Sequence, residues 1–425
     1  MIAVGTCMLV AVCLWVTRSI GAYLGTTSIA RKALIHAAAG GDTIVIPVLD
    51  CPSLACAAFE HFRQLGRPVF VGSARDHLGT VEALRTAGAH VIVAPSRHVG
   101  RAAQVKWALE SLPHTEWVSI YDVDSRPSAH SLRYFASGQP SDSVDVIARL
   151  STYETGLGRG FFDGLALRQA WWSLTFERSM WSRRRFWYLV GHGVSVKWST
   201  LARYLDVTCI VDDLALGYDL SSSGHVVRIG VDRDVALAAD TAHQLINQAA
   251  RWFIGEWEGT RRLPVAVRWV RRAEVFATWG GAWIVLAAAY VMAPAVAHAV
   301  AAIGITYGAI AYTLLCSSDR NRRDPARFLG FMSRGVVMGA AVGVATSRRA
   351  LRLRNGFDPT RYREVRYWCD RHHRISCPRI PIQSPMIPIQ SPMTGAVDAD
   401  WSSEPSEKPS RREYVDAGIH GRRRD

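Results

Sequence analysis

Asp122 and Asp124 stand two residues apart in the run Ile120-Tyr121-Asp122-Val123-Asp124, and Pro127 comes soon after. On an extended segment, residues at i and i+2 face the same way. Both carboxylates therefore reach one hard divalent cation such as Mg²⁺ or Mn²⁺, and with it the oxygens of a diphosphate. By itself such a pair equally describes two solvated loop acids at a strand end. Further along the chain there is more chemistry. Adjacent Asp212 and Asp213 open the run DDLALGYDL, where they fit either a general base or helix-start charges favoured by the dipole. Gln248 and Arg251 share a helix face, and the arginine can grip phosphate oxygens in a bidentate fashion. Trp252 adds a flat face for a sugar or an apolar acceptor, or else a membrane-interface anchor. The turn Gly191-His192-Gly193 comes after an aromatic and basic stretch, Trp171 to Tyr188. That stretch suits anionic lipid headgroups, so an acceptor is expected here, with His192 as its contact or as a structural turn residue.

These residues need a scaffold, and the sequence between about residues 40 and 260 supplies one. Thr43 to Val48, Pro68 to Val71, His90 to Ala94 and Trp117 to Tyr121 read as strands. Ser53 to Leu65, Thr80 to Ala87 and Arg101 to Leu112 between them read as helices. Continuous apolar strands alternating with amphipathic helices predict a mainly parallel sheet covered on both faces. Ligands in such sheets bind beyond the carboxyl ends of the strands, and Asp122 and Asp124 fall at one of them.

Taken in order, the Asp-x-Asp, the acidic pair and the Gln248-x-x-Arg251-Trp252 box resemble the membrane-bound family-2 glycosyltransferases, the group of cellulose synthase, hyaluronan synthase and ceramide glucosyltransferase. The resemblance covers roughly Thr43 to Cys316. It implies a GT-A (Rossmann-like) α/β cytoplasmic domain flanked by transmembrane helices, with Asp122 and Asp124 holding Mg²⁺ or Mn²⁺. It further implies that Asp213 is the general base, a role Asp212 could exchange with it. Gln248, Arg251 and Trp252 then meet the donor diphosphate and the acceptor. Where the family often has Asn-Glu after the first strand this chain has Asp50-Cys51, and the second strand leads to Asp76. Asp50 and Asp76 are thus the candidates for holding the nucleotide. The implied partners are a nucleotide-diphosphate sugar, UDP-sugar foremost, a lipid or glycan acceptor, and membrane lipids.

Membrane segments are expected at both ends. Ile2 to Val16, extendable to Leu24, has no basic residue before it and Arg18, Arg31 and Lys32 after it. This is the reverse of a cleavable signal peptide, so residues 1–24 read as an anchor. Val275 to Ala295 and Ala297 to Cys316 each approach the ~20 residues that cross a bilayer. Pro294 marks the turn between them, and arginines flank the pair on both sides. By the positive-inside rule the body between anchor and hairpin is cytoplasmic in a multi-pass cell-membrane protein. Phe328 to Ala345 carries Arg334, and spanning would export a very basic segment, so an interfacial or re-entrant helix is expected, with a third spanning helix as the alternative; residues 261–346 are the hairpin plus this helix.

The chain has 425 residues, is 49% hydrophobic and carries a formal charge of +14, which excludes a wholly disordered protein. Only four of its 50 basic residues are lysines, and the positive charge gathers beside apolar runs. That placement favours membrane over nucleic acid as the partner. Eight scattered cysteines make no disulfide framework. Cys369, His372, His373 and Cys377 are spaced too tightly for zinc. Residues 347–425 read as a basic and then low-complexity tail, IPIQSPM occurring twice. The resulting expectation is a membrane-anchored, metal-dependent inverting glycosyltransferase. A processive polysaccharide synthase subunit and a catalytically silent scaffold of the same fold are the competing readings.

Overall fold

The structure is a computed structural model that describes residues 13, 16–17, 19–21, 43–48, 50–74, 78–95, 100–127, 145–155, 160–177, 187–209, 211–225, 227–239, 241–276, 278–279, 290–291, 294–316 and 324–350, with only the backbone of 228–233 and 348–350. The tail, Asp76, most of the N-terminal anchor and most of the first hairpin run lie outside them.

Eight strands form one sheet in the order β3-β2-β1-β4-β7-β6-β8-β5. They are β1 (Thr43–Pro47), β2 (Pro68–Ser73), β3 (His90–Ala94), β4 (Trp117–Ile120), β5 (Arg126–Pro127), β6 (Val146–Glu154), β7 (Val194–Lys197) and β8 (Val227–Leu237). In the first half, α1 (Pro52–Phe62), α2 (Leu78–Thr86) and α3 (Arg101–Ser111) alternate with the strands, as the apolar runs predict. Pro52 starts α1 at a position where a missing N–H costs nothing. Val45, Ile46, Phe70 and Val118 are fully buried, which is why these strands read as unbroken apolar runs rather than as alternation.

The second half departs from a mainly parallel sheet. β7 runs antiparallel to both neighbours, β4 and β6, and β5 runs antiparallel to β8. β6 and β8 resume the direction of β1 to β4. The chain enters β7 from the edge where β4 ends, so β7 can only run back. Six strands consequently end on one edge, and the turn into β7 lies on that same edge.

The remaining helices are α4 (Gly160–Trp172), continued by a π turn (Ser173–Glu177), α5 (Trp198–Tyr204), α6 (Asp212–Ser222), α7 (Ala242–Gly259), α8 (Val265–Phe276), α9 (Pro294–Leu315) and α10 (Pro325–Ala350). Two of them, α9 and the Pro325–Ser347 part of α10, are long and apolar enough to cross a membrane. Pro294 is the first residue of α9. α10 is one continuous helix through Phe328 to Ala345.

α10 lies on α4 at glycine distance. A Cβ on Gly164 would fall 1.9 Å from the Arg327 carbonyl, and one on Gly330 would fall 1.9 Å from the Phe161 carbonyl. This close approach brings Arg327 to Asp163 at 2.5 Å and buries Arg334, which donates to the Leu165 carbonyl at 3.2 Å and to Gln169. Arginines in an apolar stretch are therefore structural ion-pair and hydrogen-bond partners here. Arg271 behaves likewise: it joins Glu256, Glu274 and the Tyr218 hydroxyl at 2.8 to 2.9 Å and is 4% exposed. Two of the flanking arginines that suggested topology, Arg271 and Arg327, are buried rather than facing a membrane surface.

The stretch from Trp171 to Tyr188 needs a similar correction. Trp171 is buried and its indole N–H donates to the Tyr307 hydroxyl; Trp172 stacks on Phe176 at 4.2 Å, and Trp187 is core. Trp171 and Trp187 are thus covered by the protein, while Trp172 keeps part of its surface exposed. Trp181 and Arg183 to Arg185 lie outside the described residues.

Replacing Gly330 by valine is expected to force α4 and α10 apart, at a cost of about 1–3 kcal/mol or more typical of overpacking. Thermal unfolding in detergent measures it, and a wild-type midpoint would contradict this packing.

Candidate active site

The site is built by strand register. β4 and β7 pair Trp117 with Lys197 and Ile120 with Val194. Two residues beyond the last pair, the same register sets Asp122 against His192. The Asp122 Oδ2 lies 3.6 Å from His192 Nδ1. Asp124 comes next on a tight turn in which the Ser125 N–H donates to the Asp122 carbonyl at 2.9 Å. Its Oδ2 accepts the Leu237 N–H from the end of β8 at 3.3 Å. Ligand atoms of Asp122, Asp124 and His192 lie within 4.8 Å of one another. Two carboxylate oxygens and one imidazole nitrogen at this spacing suit Mg²⁺ or, better with the nitrogen, Mn²⁺.

Glycine shapes this turn at two positions. Gly193 has φ +66°, where a side chain would be strained and would also crowd Arg149, Tyr121 and Asp234. Gly191 lets Asp213 come in, since a Cβ there would stand 2.7 Å from Asp213 Oδ2.

Asp212 and Asp213 open α6 with Val211 as the capping residue, so the positive end of the helix dipole faces both. The Arg101 side chain ties α6 to the strand end. Its Nε donates to Asp122 Oδ1 at 2.6 Å, its Nη1 to Asp212 Oδ2 at 2.7 Å and its Nη2 to the Gly191 carbonyl at 2.8 Å. Burial pushes Asp213 up from 3.8 to about 6, with the charges of Asp212 and Asp122 adding to it and Arg101 opposing it. Asp122 moves the other way: burial would raise it, but Arg101, His192 and Arg251 together hold it below its usual value. His192 is raised: burial opposes its charge, and Asp124, Asp122 and Asp234 outweigh that. One acid is thus kept charged and another ready to take a proton, which is the division of labour an acid–base site requires.

The helix α7 completes the group. Thr241 caps it by accepting the Gln244 N–H at 3.3 Å. It packs on the start of α6 at Gly255, where a Cβ would stand 2.3 Å from Val211. Arg251 on this helix is close enough for its charge to act on Asp122. Gln248 and Trp252 instead line a small cavity with Tyr153, Gln169 and Arg334. Asp50 is exposed beyond β1, on the same sheet edge as Asp122. Asp76 lies outside the described residues.

Two members of the group carry no sequence signal. Arg101 is the first residue of an ordinary apolar-faced helix after Gly100, and its carboxylate partners are 21 and 111 residues away. Asp234 on β8 is fully buried, and burial raises it to about 6 even though His192 and Arg149 pull it down. Nothing in the sequence around it distinguishes it from a solvated acid.

No protein-family profile and no curated protein matches this chain. Among solved structures, glucosyl-3-phosphoglycerate synthase from Mycobacterium tuberculosis, in complex with phosphoglyceric acid, aligns at 12% identity and TM-score 0.32 over 52% of this chain and 82% of its own. GalNAc-T7 with UDP, GalNAc and Mn²⁺ aligns at 10% and 0.34 over 57% and 55%. A putative glucose-1-phosphate thymidylyltransferase from Bacillus anthracis aligns at 10% and 0.29 over 47% and 89%. These neighbours are glycosyl- and nucleotidyltransferases, but the similarity is low, and the functional reading rests on this chain's own residues.

A carboxyl whose native pKa is raised favours folding when protonated and loses that contribution as pH climbs through the native value. Asp213→Asn is therefore expected to raise the thermal midpoint above pH about 6 and to bring no such gain near pH 3.8. Unfolding midpoints across that range test this; a destabilised variant at the upper end would contradict it.

Proposed function

We propose that this chain is a membrane-associated glycosyltransferase of GT-A type that moves a sugar from a nucleotide-diphosphate donor, UDP-sugar foremost, to a hydroxyl on a lipid or glycan. The observation that carries the reading is the convergence of Asp122, Asp124 and His192 with Asp213 at one edge of the sheet. A metal-sized group of ligands and a carboxyl with a pKa near 6 stand on either side of Arg101.

A divalent cation held by Asp122, Asp124 and His192 would supply the positive charge against which a diphosphate departs. Asp213 accepts the proton of the attacking hydroxyl as its oxygen bonds to the anomeric carbon. The bond from that carbon to the diphosphate oxygen breaks on the opposite side, and the electron pair leaves with the diphosphate, so the anomeric configuration inverts. The carboxylate of Asp212, fixed by Arg101, stands beside Asp213 and keeps its basicity high. Arg251 binds phosphate oxygens, and Gln248 and Trp252 line the acceptor side. Asp50 and Asp76 are the proposed contacts for the nucleotide. The run from α7 into α8 and toward the apolar helices supports an acceptor side toward the membrane, and the proposal keeps the catalytic body cytoplasmic.

Three measurements on one preparation test the reading. With a nucleotide sugar that is turned over, Asp213→Asn should lower kcat by roughly 10²–10⁴-fold, the usual worth of a general base. Wild-type activity should fall as pH drops below about 6. Asp212→Asn removes a like charge and should move that acid limb to lower pH. Full turnover by Asp213→Asn would reassign the base, and an unmoved limb would remove Asp212 from the pair.

A further inference from the structure

Arg101 joins three separate segments through one side chain. All three of its guanidinium nitrogens are spent on partners outside its own helix: the carboxylate after β4, the first acid of α6 and the carbonyl of Gly191. Asp122 presents Oδ1 to this guanidinium at 2.6 Å and turns Oδ2 toward His192 Nδ1, 3.6 Å away, inside the group of candidate metal ligands. One carboxylate therefore serves two cationic positions.

Charge sets the competition between them. Removing Arg101 would leave Asp122, Asp212 and Asp213 facing one another across the cleft, with Arg251 and His192 as the cations acting on Asp122. A guanidinium is always charged and cannot shed a proton to make room for another cation. Placed on the same carboxylate as a dication, it shares that carboxylate's charge and repels the newcomer, and a partly enclosed cleft screens this repulsion less than bulk water does.

We propose that Arg101 is a built-in counter-ion that holds the empty site together and competes with a divalent cation for Asp122. The proposal rests on the metal-dependent reading above. It implies an order of loading: the cation binds weakly alone and well together with a diphosphate, whose negative charge offsets Arg101. A residue that only supported the fold would act in the opposite sense, since its loss would loosen the metal ligands and weaken metal binding.

The test is Mn²⁺ binding, without nucleotide, to the purified full chain in detergent, followed by the electron paramagnetic resonance of free Mn²⁺. Arg101→Gln and Arg101→Met both drop the charge, and Met keeps the apolar stem should Gln fold poorly. Each is expected to bind Mn²⁺ roughly tenfold more tightly than wild type and to gain more thermal stability from it. Arg101→Lys keeps the charge and should stay near wild type, while Asp124→Asn should bind weakly. Equal or weaker Mn²⁺ binding by the charge-free variants, beside a wild type that binds and an Asp124→Asn that does not, overturns the counter-ion while leaving the metal site standing. Absence of Mn²⁺ binding in every variant overturns the metal reading and this proposal with it.

Discussion

Four carboxylates, Asp122, Asp124, Asp212 and Asp213, meet at one edge of the sheet, and their mutual repulsion is the constraint around which the site is arranged. Burial makes it sharper, because the cleft removes the water that would otherwise screen them. The chain answers with a guanidinium bonded to two of the four, an imidazole beside Asp122, and the positive end of α6 under Asp212 and Asp213. The acids do not all stay ionised as equals: Asp122 is held low and Asp213 is pushed to about 6. That separation suits like groups to two different chemical roles.

Backbone geometry makes such crowding possible. Reversal of β7 between β4 and β6 brings a turn to the edge where six strands end, and the register carries His192 to Asp122. Glycines then remove the atoms that would block it, at Gly191 beside Asp213 and at Gly193 where φ is positive. Helix α7 closes on α6 through Gly255, so the Gln248-to-Trp252 face is fixed relative to the acids. A similar device at Gly164 and Gly330 fastens α10 to α4. Helix α10 is thus packed on the body that carries the chemistry.

Elements made of contiguous residues were legible in the sequence. The strands and helices from Thr43 to Ile120 arise from burial that leaves continuous apolar runs, and the strand-end position of Asp122 and Asp124 is a consequence of them. Contacts between distant segments were not legible. The reversal of β7 depends on where the chain re-enters the sheet, which no local pattern encodes. Arg101 looks like any helix-start arginine, because its carboxylate partners are 21 and 111 residues away. Arginine position is silent in the same way: Arg271 and Arg327, two of the arginines that flank the apolar runs, are buried against carboxylates. The burial of Trp171 and Trp187 was not legible either, because ring content says nothing about which neighbour covers the ring.

Calorimetry can decide whether this edge of the sheet binds a nucleotide diphosphate through a divalent cation. UDP, GDP, ADP, TDP and CDP are titrated into the full chain in detergent, with Mn²⁺ and with a chelator in its place. The expected result is binding of one nucleotide, UDP foremost, that requires Mn²⁺. Equal binding with the chelator, or no binding of any nucleotide in the presence of Mn²⁺, would contradict it.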